Sequence, residues 1–373
     1  MTETVFSAGA AGESNQQIKY RSLYSQVMNR VRDAGLLKKT PGFYVMRLVY
    51  ITLFAVASWA GLALVSAAAD GAWWGFAAAI PLVMALGIFA AQYGFIAHEA
   101  AHRQVFHSNK ANDRVGLVLA NLFAGMGYGF WLRKHNRHHA SPNQINKDPD
   151  IDIPVLSFTP EALFRKSGIE KLVSKQQGRL FPVLLMFTSF HFVLDSVYSL
   201  VKKNSTVKNK YLEAALMVVR QTVPIVAFVF LFGAIQGLIL YMIFMFSIGV
   251  FIGGAFAPNH KGMPLVPEDS KVDFFHRQVL TSRNISPSWL KDNMMGGLNY
   301  QVEHHLFPSM PRPHLSEAHK IVVQFCAEQN VPFTEVGLFK SYGMVMDYLN
   351  KVGLSNESDP FVCPMVAEWR PRS

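Results

Sequence analysis

Cysteine and charge are both scarce in this chain. Only Cys326 and Cys363 occur among its 373 residues, so neither a disulfide framework nor a cysteine-based metal site is expected. Such low cysteine usage is typical of a reducing compartment. Charged residues make up 16% of the sequence and hydrophobic residues 50%, and the mean hydropathy is positive. This composition excludes an ordinary soluble protein of this length and predicts a membrane protein.

Secretion and nucleic-acid signals are also missing. Residues 1–40 are polar with basic residues at intervals, and they lack the short apolar core and small-residue cleavage site of a signal peptide. The net charge is +10, but the lysines and arginines stand mostly beside apolar segments, where they would face anionic lipid headgroups. Membrane lipid is therefore an expected partner and nucleic acid is not.

Four long apolar runs lie at about residues 43–69, 73–97, 212–232 and 235–258. A bilayer core needs about 20 apolar residues, so each run is long enough to cross it. The turn inside each pair carries no lysine or arginine while the flanks do, and the positive-inside rule then places both turns outside and the termini in the cytosol. Ionisable residues in the runs are almost limited to Arg47 and Arg220, which argues against a metal transporter.

Two further apolar stretches, residues 115–131 and 180–200, have basic residues at both ends. Because both ends then prefer the cytosolic side, we interpret these stretches as interfacial or re-entrant. The sequence thus predicts an all-α integral membrane protein. It would have four transmembrane helices in two hairpins, interfacial helices and a cytosolic helical cap that holds a histidine-rich di-metal site.

Histidine is concentrated in three short words and at one further position. The words are HEAAH at 98–102, HNRHH at 135–139 and QVEHH at 301–305, and His260 directly follows the fourth apolar run. Residues four apart on a helix are separated by about 6 Å along the axis and about 40° around it, so the histidines of each word share a face. The predicted topology brings all four places to one cytosolic depth. This convergence predicts a metal site.

The number of histidines indicates more than one ion. A catalytic zinc takes three protein ligands, which would leave five of these eight imidazoles unused, whereas two ions would use them all. Imidazole suits iron, copper, nickel and zinc alike. Iron is favoured because an imidazole-bound pair with open positions can bind and reduce oxygen.

The three words, in this order between two hydrophobic hairpins, resemble the histidine boxes of the membrane-bound fatty acid desaturases. The resemblance extends from about residue 43 to about residue 320, and the segment NYQVEHHLFPSMPR at 299–312 is similar to the Gln-type third box of front-end, acyl-lipid and bacterial acyl-CoA desaturases. It implies seven catalytic iron ligands: His98, His102, His135, His138, His139, His304 and His305. It also implies that His260 is an extra ligand and that Gln301 binds through water or orients a neighbour.

The resemblance further implies an oxygen-dependent oxidoreductase with two iron ions. Such an enzyme would introduce a cis double bond into a long acyl chain, carried as acyl-CoA or acyl-lipid, and reduce O2 to water. The chain contains no H-P-G-G word of a fused cytochrome b5 and no Gly-rich flavin or nicotinamide motif, so an external ferredoxin or cytochrome with its reductase is the implied electron donor. A bacterial inner (plasma) membrane location is implied, with a desaturase domain at 41–320 and cytosolic segments at 1–40 and 321–373.

Two other enzyme classes remain open at this point. Membrane hydroxylases of alkanes, sterols and carotenoids carry similar boxes. The word HEAAH also matches the H-E-x-x-H of zinc proteases, in which Glu99 would be the general base, but an intramembrane protease needs an L-D-G type word and the nearest here is LDS at 194–196. In a desaturase, we expect Glu99 to hydrogen-bond the second ring nitrogen of a ligand.

Polar and aromatic residues around the boxes carry weaker predictions. Three carboxylates either brace the second box or form a solvated loop: Asp148, Asp150 and Asp152. Three basic residues either bind phosphates of coenzyme A or a lipid, or only follow the positive-inside rule: Arg133, Lys134 and Arg137. Trp131 and Tyr128 are candidates for the wall of an acyl channel. His191 and Asp195 are expected to form a local pair. The histidines expected to play no part in the site are His107, His276, His314 and His319.

Overall fold

The computed structural model describes residues 23–354. Most of the predicted N-terminal segment and the last part of the predicted C-terminal segment, with Cys363, lie outside these residues. Helices dominate the described part of the chain, and its strands are two residues long. In chain order the helices are α1 (23–33), α2 (Pro41–Ala69), α3 (Trp73–Ala101), α4 (Asn109–Val118), α5 (Tyr128–Ala140), α6 (Pro160–Phe164), α7 (Gly168–Lys175), α8 (Gln177–Met186), α9 (Thr188–Val201), α10 (Lys210–Phe232), α11 (Ala234–His260), α12 (Phe274–Leu280), α13 (Trp289–Met294), α14 (Gln301–Leu306), α15 (Leu315–Glu328) and α16 (Leu338–Leu354).

Four helices are long and apolar enough to cross a membrane, namely α2, α3, α10 and α11. They coincide with the four predicted spans and form the two predicted hairpins, so the prediction of an all-α membrane protein is confirmed. The spans pack around a shared apolar core that includes Leu62, Phe228 and Ile248. At the centre of the bundle the Ser247 hydroxyl donates to the carbonyl oxygen of Met84 at 2.9 Å, joining α11 to α3.

The helices α3 and α11 run past the predicted ends of their apolar runs, to Ala101 and His260 respectively. The extra turns are polar, yet His98, Glu99 and His260 are buried because other parts of the chain cover these helix ends. Both helices therefore carry their histidines out of the bundle on rigid backbone.

The two stretches interpreted as interfacial or re-entrant each form a bent pair of helices. In the first pair, α4 continues as a π-helical segment (Leu119–Ala124) and then turns by 108° into α5. In the second pair, α8 meets α9 at an angle of 71°. By length and composition each pair could also count as one broken span.

The end of the bundle at which α3 and α11 terminate is covered by short helices from the last third of the described chain. A cluster of apolar side chains, including Val27, Phe275, Leu306 and Phe325, joins α1, α12, α14 and α15. Two parallel strands, β1 (Asn284–Ile285) and β2 (Glu335–Val336), pair in the register Asn284 to Glu335 and Ile285 to Val336. The expected boundary after residue 320 lies inside α15.

Candidate metal centre

Eight imidazoles from four separate parts of the chain meet at this covered end of the bundle. They come from the end of α3, from α5, from the last residue of α11 and from α14. These are all the histidines that the sequence singled out as ligands. They lie in two neighbouring groups, and within each group the candidate ligand atoms are no more than 4.8 Å apart.

The first group contains five imidazoles: His98, His102, His135, His139 and His304. The Nε2 atom of His135 lies 2.9 Å from that of His98, 2.8 Å from that of His102 and 3.0 Å from that of His139. The Nε2 atoms of His304 and His139 are 3.1 Å apart. One atom of each ring therefore points into the same small space.

The second group contains three imidazoles: His138, His260 and His305. Each has its Nδ1 atom held by an oxygen, so Nε2 is the ring nitrogen that would bind an ion. The holding atoms are an Asp148 carboxylate oxygen for His138 (3.0 Å), the Thr281 carbonyl oxygen for His260 (3.1 Å) and the Gln278 side-chain oxygen for His305 (2.8 Å). The buried Nε2 of His305 has no hydrogen-bond partner among residues 23–354.

The charge state of the rings fits metal ligation. Burial and neighbouring imidazoles lower the pKa of four rings well below the usual range: His135, His139, His304 and His305. Burial lowers the pKa of His102 to about 3. A metal binds the neutral ring, so these histidines are in the required form near neutral pH. Lone pairs of neutral nitrogens that point at one another repel, and a cation between them would turn this repulsion into attraction.

His138 differs from the other rings because it faces carboxylates. Burial lowers its pKa, but the charges of Asp148 and Asp150 more than offset this and the net pKa is raised. Asp148 is 1% exposed and also accepts the backbone N–H groups of Asn143 and Asp150. The prediction that Asp148 braces the second box is confirmed, whereas Asp152 is exposed.

Gln301 lies beside the second group, on the first turn of α14. Its side-chain nitrogen is 2.8 Å from Nε2 of His260, and its oxygen accepts from the Asn259 side chain at 3.0 Å. The oxygen is thus engaged away from the imidazoles. Both expected roles of Gln301, binding through water and orienting a neighbour, stay predictions.

The expectation for Glu99 was wrong, because its carboxylate contacts a guanidinium and a phenol instead of an imidazole. Arg312 donates from Nε to Glu99 at 2.7 Å and pairs with it again through Nη2, while the Tyr44 hydroxyl lies 3.3 Å from the same carboxylate. The backbone N–H of Arg312 also donates to the Tyr44 hydroxyl. This buried network joins α2, the first box and the segment after the third box. Sequence reasoning assigned no role to Arg312, although it ends the segment 299–312 that contains the third box, and none to Tyr44, which lies far from the histidine words.

His319 was expected to be unrelated to the site, and the structure places it directly behind the third box. Its Nδ1 lies 3.0 Å from the buried Glu303 carboxylate and its Nε2 lies 3.0 Å from Glu335. Asn284 also donates to Glu303. Glu303 immediately precedes His304, so this network fixes the backbone that presents His304 and His305.

The third box reaches the first because a glycine allows close approach. Gly296 has φ +63°, and a Cβ there would lie 2.5 Å from the ring of Phe95 on α3. The chain before α14 therefore lies against α3 only with glycine at this position. This contact carries His304 to His98 and His102.

An apolar cavity of about 220 Å³ adjoins both groups of imidazoles. Its wall includes His135 of the first group, His138 and His260 of the second, and Asp150. It is otherwise formed mainly by apolar side chains of α5, α8, α9 and α11, such as Phe181 and Phe256. Lys134 and Lys261 also line it. Trp131 lies in this wall, and Tyr128, the other aromatic candidate, packs against Gly116 on α4. The acyl channel itself stays a prediction.

The remaining basic and acidic candidates make local contacts. Lys134 forms an ion pair with Asp150, and Arg133 donates to the Ser199 hydroxyl at 2.6 Å. His191 and Asp195 form the expected pair at 3.3 Å, and His191 also lines the cavity. Arg137 is exposed.

Known proteins with similar sequences share one description. A family model described as fatty acid desaturase matches residues 71–337. The Delta(6)-fatty-acid desaturase of Caenorhabditis elegans is 31% identical over 284 residues, which cover 70% of this chain and 62% of that protein. The acyl-lipid (9-3)-desaturase of Physcomitrium patens is 28% identical (70% of this chain, 51% of that protein), and the Delta(8)-fatty-acid desaturase of Euglena gracilis is 27% identical (74% and 68%).

The chain spans about half to two thirds of the length of these relatives. The matched region contains all eight clustered histidines and three of the four long apolar helices, α3, α10 and α11. The chain therefore belongs to the fatty acid desaturase family.

Proposed function

We propose that this protein is an oxygen-dependent fatty acid desaturase that forms a cis double bond in a long acyl chain. The overall reaction removes two hydrogens from adjacent methylenes, takes two protons and two electrons from outside, and reduces one O2 to two waters. The observation that carries the proposal is the convergence of eight imidazoles in two groups beside an apolar cavity. Membership of the desaturase family supports the choice of reaction.

Two iron ions would be held by the two imidazole groups, the first by five rings and the second by three. The fit rests on the neutral state of the rings, the shared direction of their Nε2 atoms and the unpaired, buried Nε2 of His305. Iron bound there supplies the redox chemistry needed to activate oxygen against unpolarised C–H bonds. The Thr281 carbonyl oxygen would orient His260 through Nδ1, and Asp148 would hold His138.

The protein's other task is to place the acyl chain and exclude water. The cavity beside His138 and His260 would hold the segment of the chain that reacts, with Trp131 and Phe256 fixing its distance from the imidazoles. The acyl chain would be carried as acyl-CoA or acyl-lipid. The similarity to the acyl-lipid desaturase of Physcomitrium patens favours the lipid carrier.

The electrons would come from a separate ferredoxin or cytochrome and its reductase. Arg137 and Lys147 are exposed at the end of α5 and in the loop after it, close to the second box. Basic side chains there suit an acidic carrier. Basic flanks of the spans support cytosolic termini and a cytosolic metal centre. The desaturase domain would be residues 41–320, and the membrane a bacterial inner membrane.

The geometry argues against the zinc protease. A general base must reach a water molecule on the metal, but Glu99 is 2% exposed and engaged by Arg312 and Tyr44. Three ligands around one ion would also leave most of the clustered rings unused.

The proposal is tested by expressing the chain in a host that lacks polyunsaturated fatty acids and analysing total fatty acids by gas chromatography and mass spectrometry. We expect a new unsaturated product with the unchanged protein and none with His138→Ala, which should still insert into the membrane. His107→Ala is the matched control, since His107 is exposed and outside both imidazole groups. A hydroxylated product, or full product from His138→Ala, would overturn the proposal.

A further inference from the structure

An arginine is buried inside one of the membrane-spanning helices. Arg220 lies ten residues after Lys210 at the start of α10, which is about 15 Å along a helix, and only 4% of its surface is exposed. A charged side chain at such a place is costly and usually has a partner or a function. Arg220 therefore needs an account that the metal centre does not supply.

The described neighbours satisfy the guanidinium only in part. Nη1 donates to the Gln221 side-chain oxygen at 2.7 Å and lies 3.3 Å from the Met245 sulfur, and the group sits 4.9 Å from the centre of the Phe244 ring. The Tyr241 hydroxyl, which bonds to the Gln221 side-chain oxygen at 2.7 Å, also interacts with the guanidinium. Among residues 23–354, Nε and Nη2 have no hydrogen-bond partner that meets normal distance and angle, and no carboxylate pairs with Arg220. A positive charge with two unpaired nitrogens thus stays inside the bundle.

Packing explains the position of the side chain but not its unpaired charge. Gly125 follows the π-helical segment with φ +78°, and a Cβ there would lie 2.5 Å from Nε of Arg220. The arginine therefore fills the space that this glycine leaves at the tip of the first bent pair. An apolar side chain would fill that space without a buried charge.

Arg220 also lines a second cavity, of about 320 Å³, within the range of small-molecule sites. The cavity lies between α2, α3 and α10, and it shares no lining residue with the cavity at the metal centre. Its wall includes Val56, Val219 and Val223, which are 59%, 46% and 56% exposed on the helix surfaces that face the bilayer. A molecule dissolved in the bilayer could enter from that side.

The cavity wall is apolar apart from Arg220 and the hydroxyls of Thr52 and Tyr93, which lie 2.8 Å apart. A few convergent polar groups in an apolar cavity are typical of a ligand site. The positive charge selects an anion, and oxygens of a carboxylate or phosphate match the fork of guanidinium N–H groups. The apolar walls select a hydrocarbon tail.

We propose that this cavity binds an anionic membrane amphiphile, whose head pairs with Arg220 and whose tail lies against α2 and α10. The head is a carboxylate or a phosphate, as in a long-chain fatty acid or an anionic phospholipid. The site is separate from the metal centre and its function does not depend on the proposed reaction.

The test uses the full-length protein in nanodiscs of phosphatidylcholine and measures the midpoint temperature of thermal unfolding. Three additions are compared: oleate, oleyl alcohol and phosphatidylglycerol. Oleyl alcohol has the tail of oleate without its charge. We expect oleate or phosphatidylglycerol to raise the midpoint by about 2–4 °C, and oleyl alcohol to have no effect. A shift with oleate alone identifies the carboxylate source, and a shift with phosphatidylglycerol alone identifies the phosphate source.

Two variants tie the shift to this site. Arg220→Gln should abolish it by removing the charge. Val56→Trp should abolish the shift by obstructing the lipid-facing side of the cavity. This substitution leaves Arg220 in place, and Val56 is exposed and therefore tolerates a larger side chain. Equal shifts with oleate and oleyl alcohol, no shift with either anion, or an unchanged shift in Val56→Trp would each overturn the proposal. These outcomes can be measured even if Arg220→Gln does not fold.

Discussion

Replacing Asp148 by asparagine should weaken metal binding at the second imidazole group and spare the first. Asp148 is fully enclosed and its two oxygens accept three N–H groups: His138 Nδ1 (3.0 Å), the backbone of Asn143 (2.7 Å) and the backbone of Asp150 (2.8 Å). Asparagine offers one oxygen, and its amide nitrogen would face a donor. At least one buried donor would then lose its partner.

The size of the effect follows from this geometry. An unsatisfied buried donor costs about 1–3 kcal/mol. Loss of the group that orients a ligand imidazole lowers metal affinity about 10- to 100-fold, which corresponds to about 1.4–2.7 kcal/mol. The two estimates agree, so we expect a 10- to 100-fold loss of affinity at one site. The iron content after dialysis should fall from about two to about one per chain, because the first group is not touched by Asp148.

The assay is iron content by mass spectrometry together with competition against a chelator of known affinity. Asp152→Asn is the matched control, since Asp152 lies in the same loop but is exposed, and it should retain full iron. If Asp148→Asn kept the iron content and chelator resistance of the unchanged protein, the assignment of His138 to a metal would be wrong.

Three further outcomes are expected. Arg312→Met should lower the free energy of unfolding by about 3–5 kcal/mol, because it removes the ion-pair partner of the buried Glu99 carboxylate. Glu328→Gln, which breaks an exposed ion pair with Arg30, should change this free energy little. Equal effects of the two substitutions in chemical denaturation would contradict the prediction. Removing metal with a chelator should lower the thermal midpoint, and adding iron back should restore it. In the metal-free protein, imidazoles such as His102 stay neutral in the folded state but gain protons near pH 6.5 in the unfolded state. The free energy of unfolding should therefore fall as the pH drops from about 7 to about 5, by up to about 1.4 kcal/mol per pH unit for each ring. The raised pKa of His138 acts in the opposite direction, and a pH-independent denaturation midpoint would refute the account.

Periodicity and spacing were enough to predict the membrane bundle and the members of the imidazole cluster. A run such as 73–97 is apolar over its whole length, so it specifies a span without help from its neighbours. The histidines of HNRHH share a helix face by local geometry alone. Likewise, basic residues at both ends of 115–131 and 180–200 indicated that these stretches do not cross as straight helices, and both are bent.

Contacts between distant residues could not be predicted in this way. Arg312 reaches Glu99 across 213 positions, and His319 contacts both Glu303 on α14 and Glu335 on β2. The partner of a buried carboxylate depends on which helices pack together, and no local pattern records that. For the same reason Glu99 was assigned to an imidazole and His319 to no role.

The sequence by itself therefore determined where the helices are and which histidines cluster, because hydrophobic length and helical spacing are local properties. Only the tertiary structure decided how the imidazoles divide into groups of five and three, which oxygen holds each ring and where charge is buried. These features depend on distances between segments more than 30 residues apart, such as His98 and His135, and those distances are set by the packing of the whole bundle.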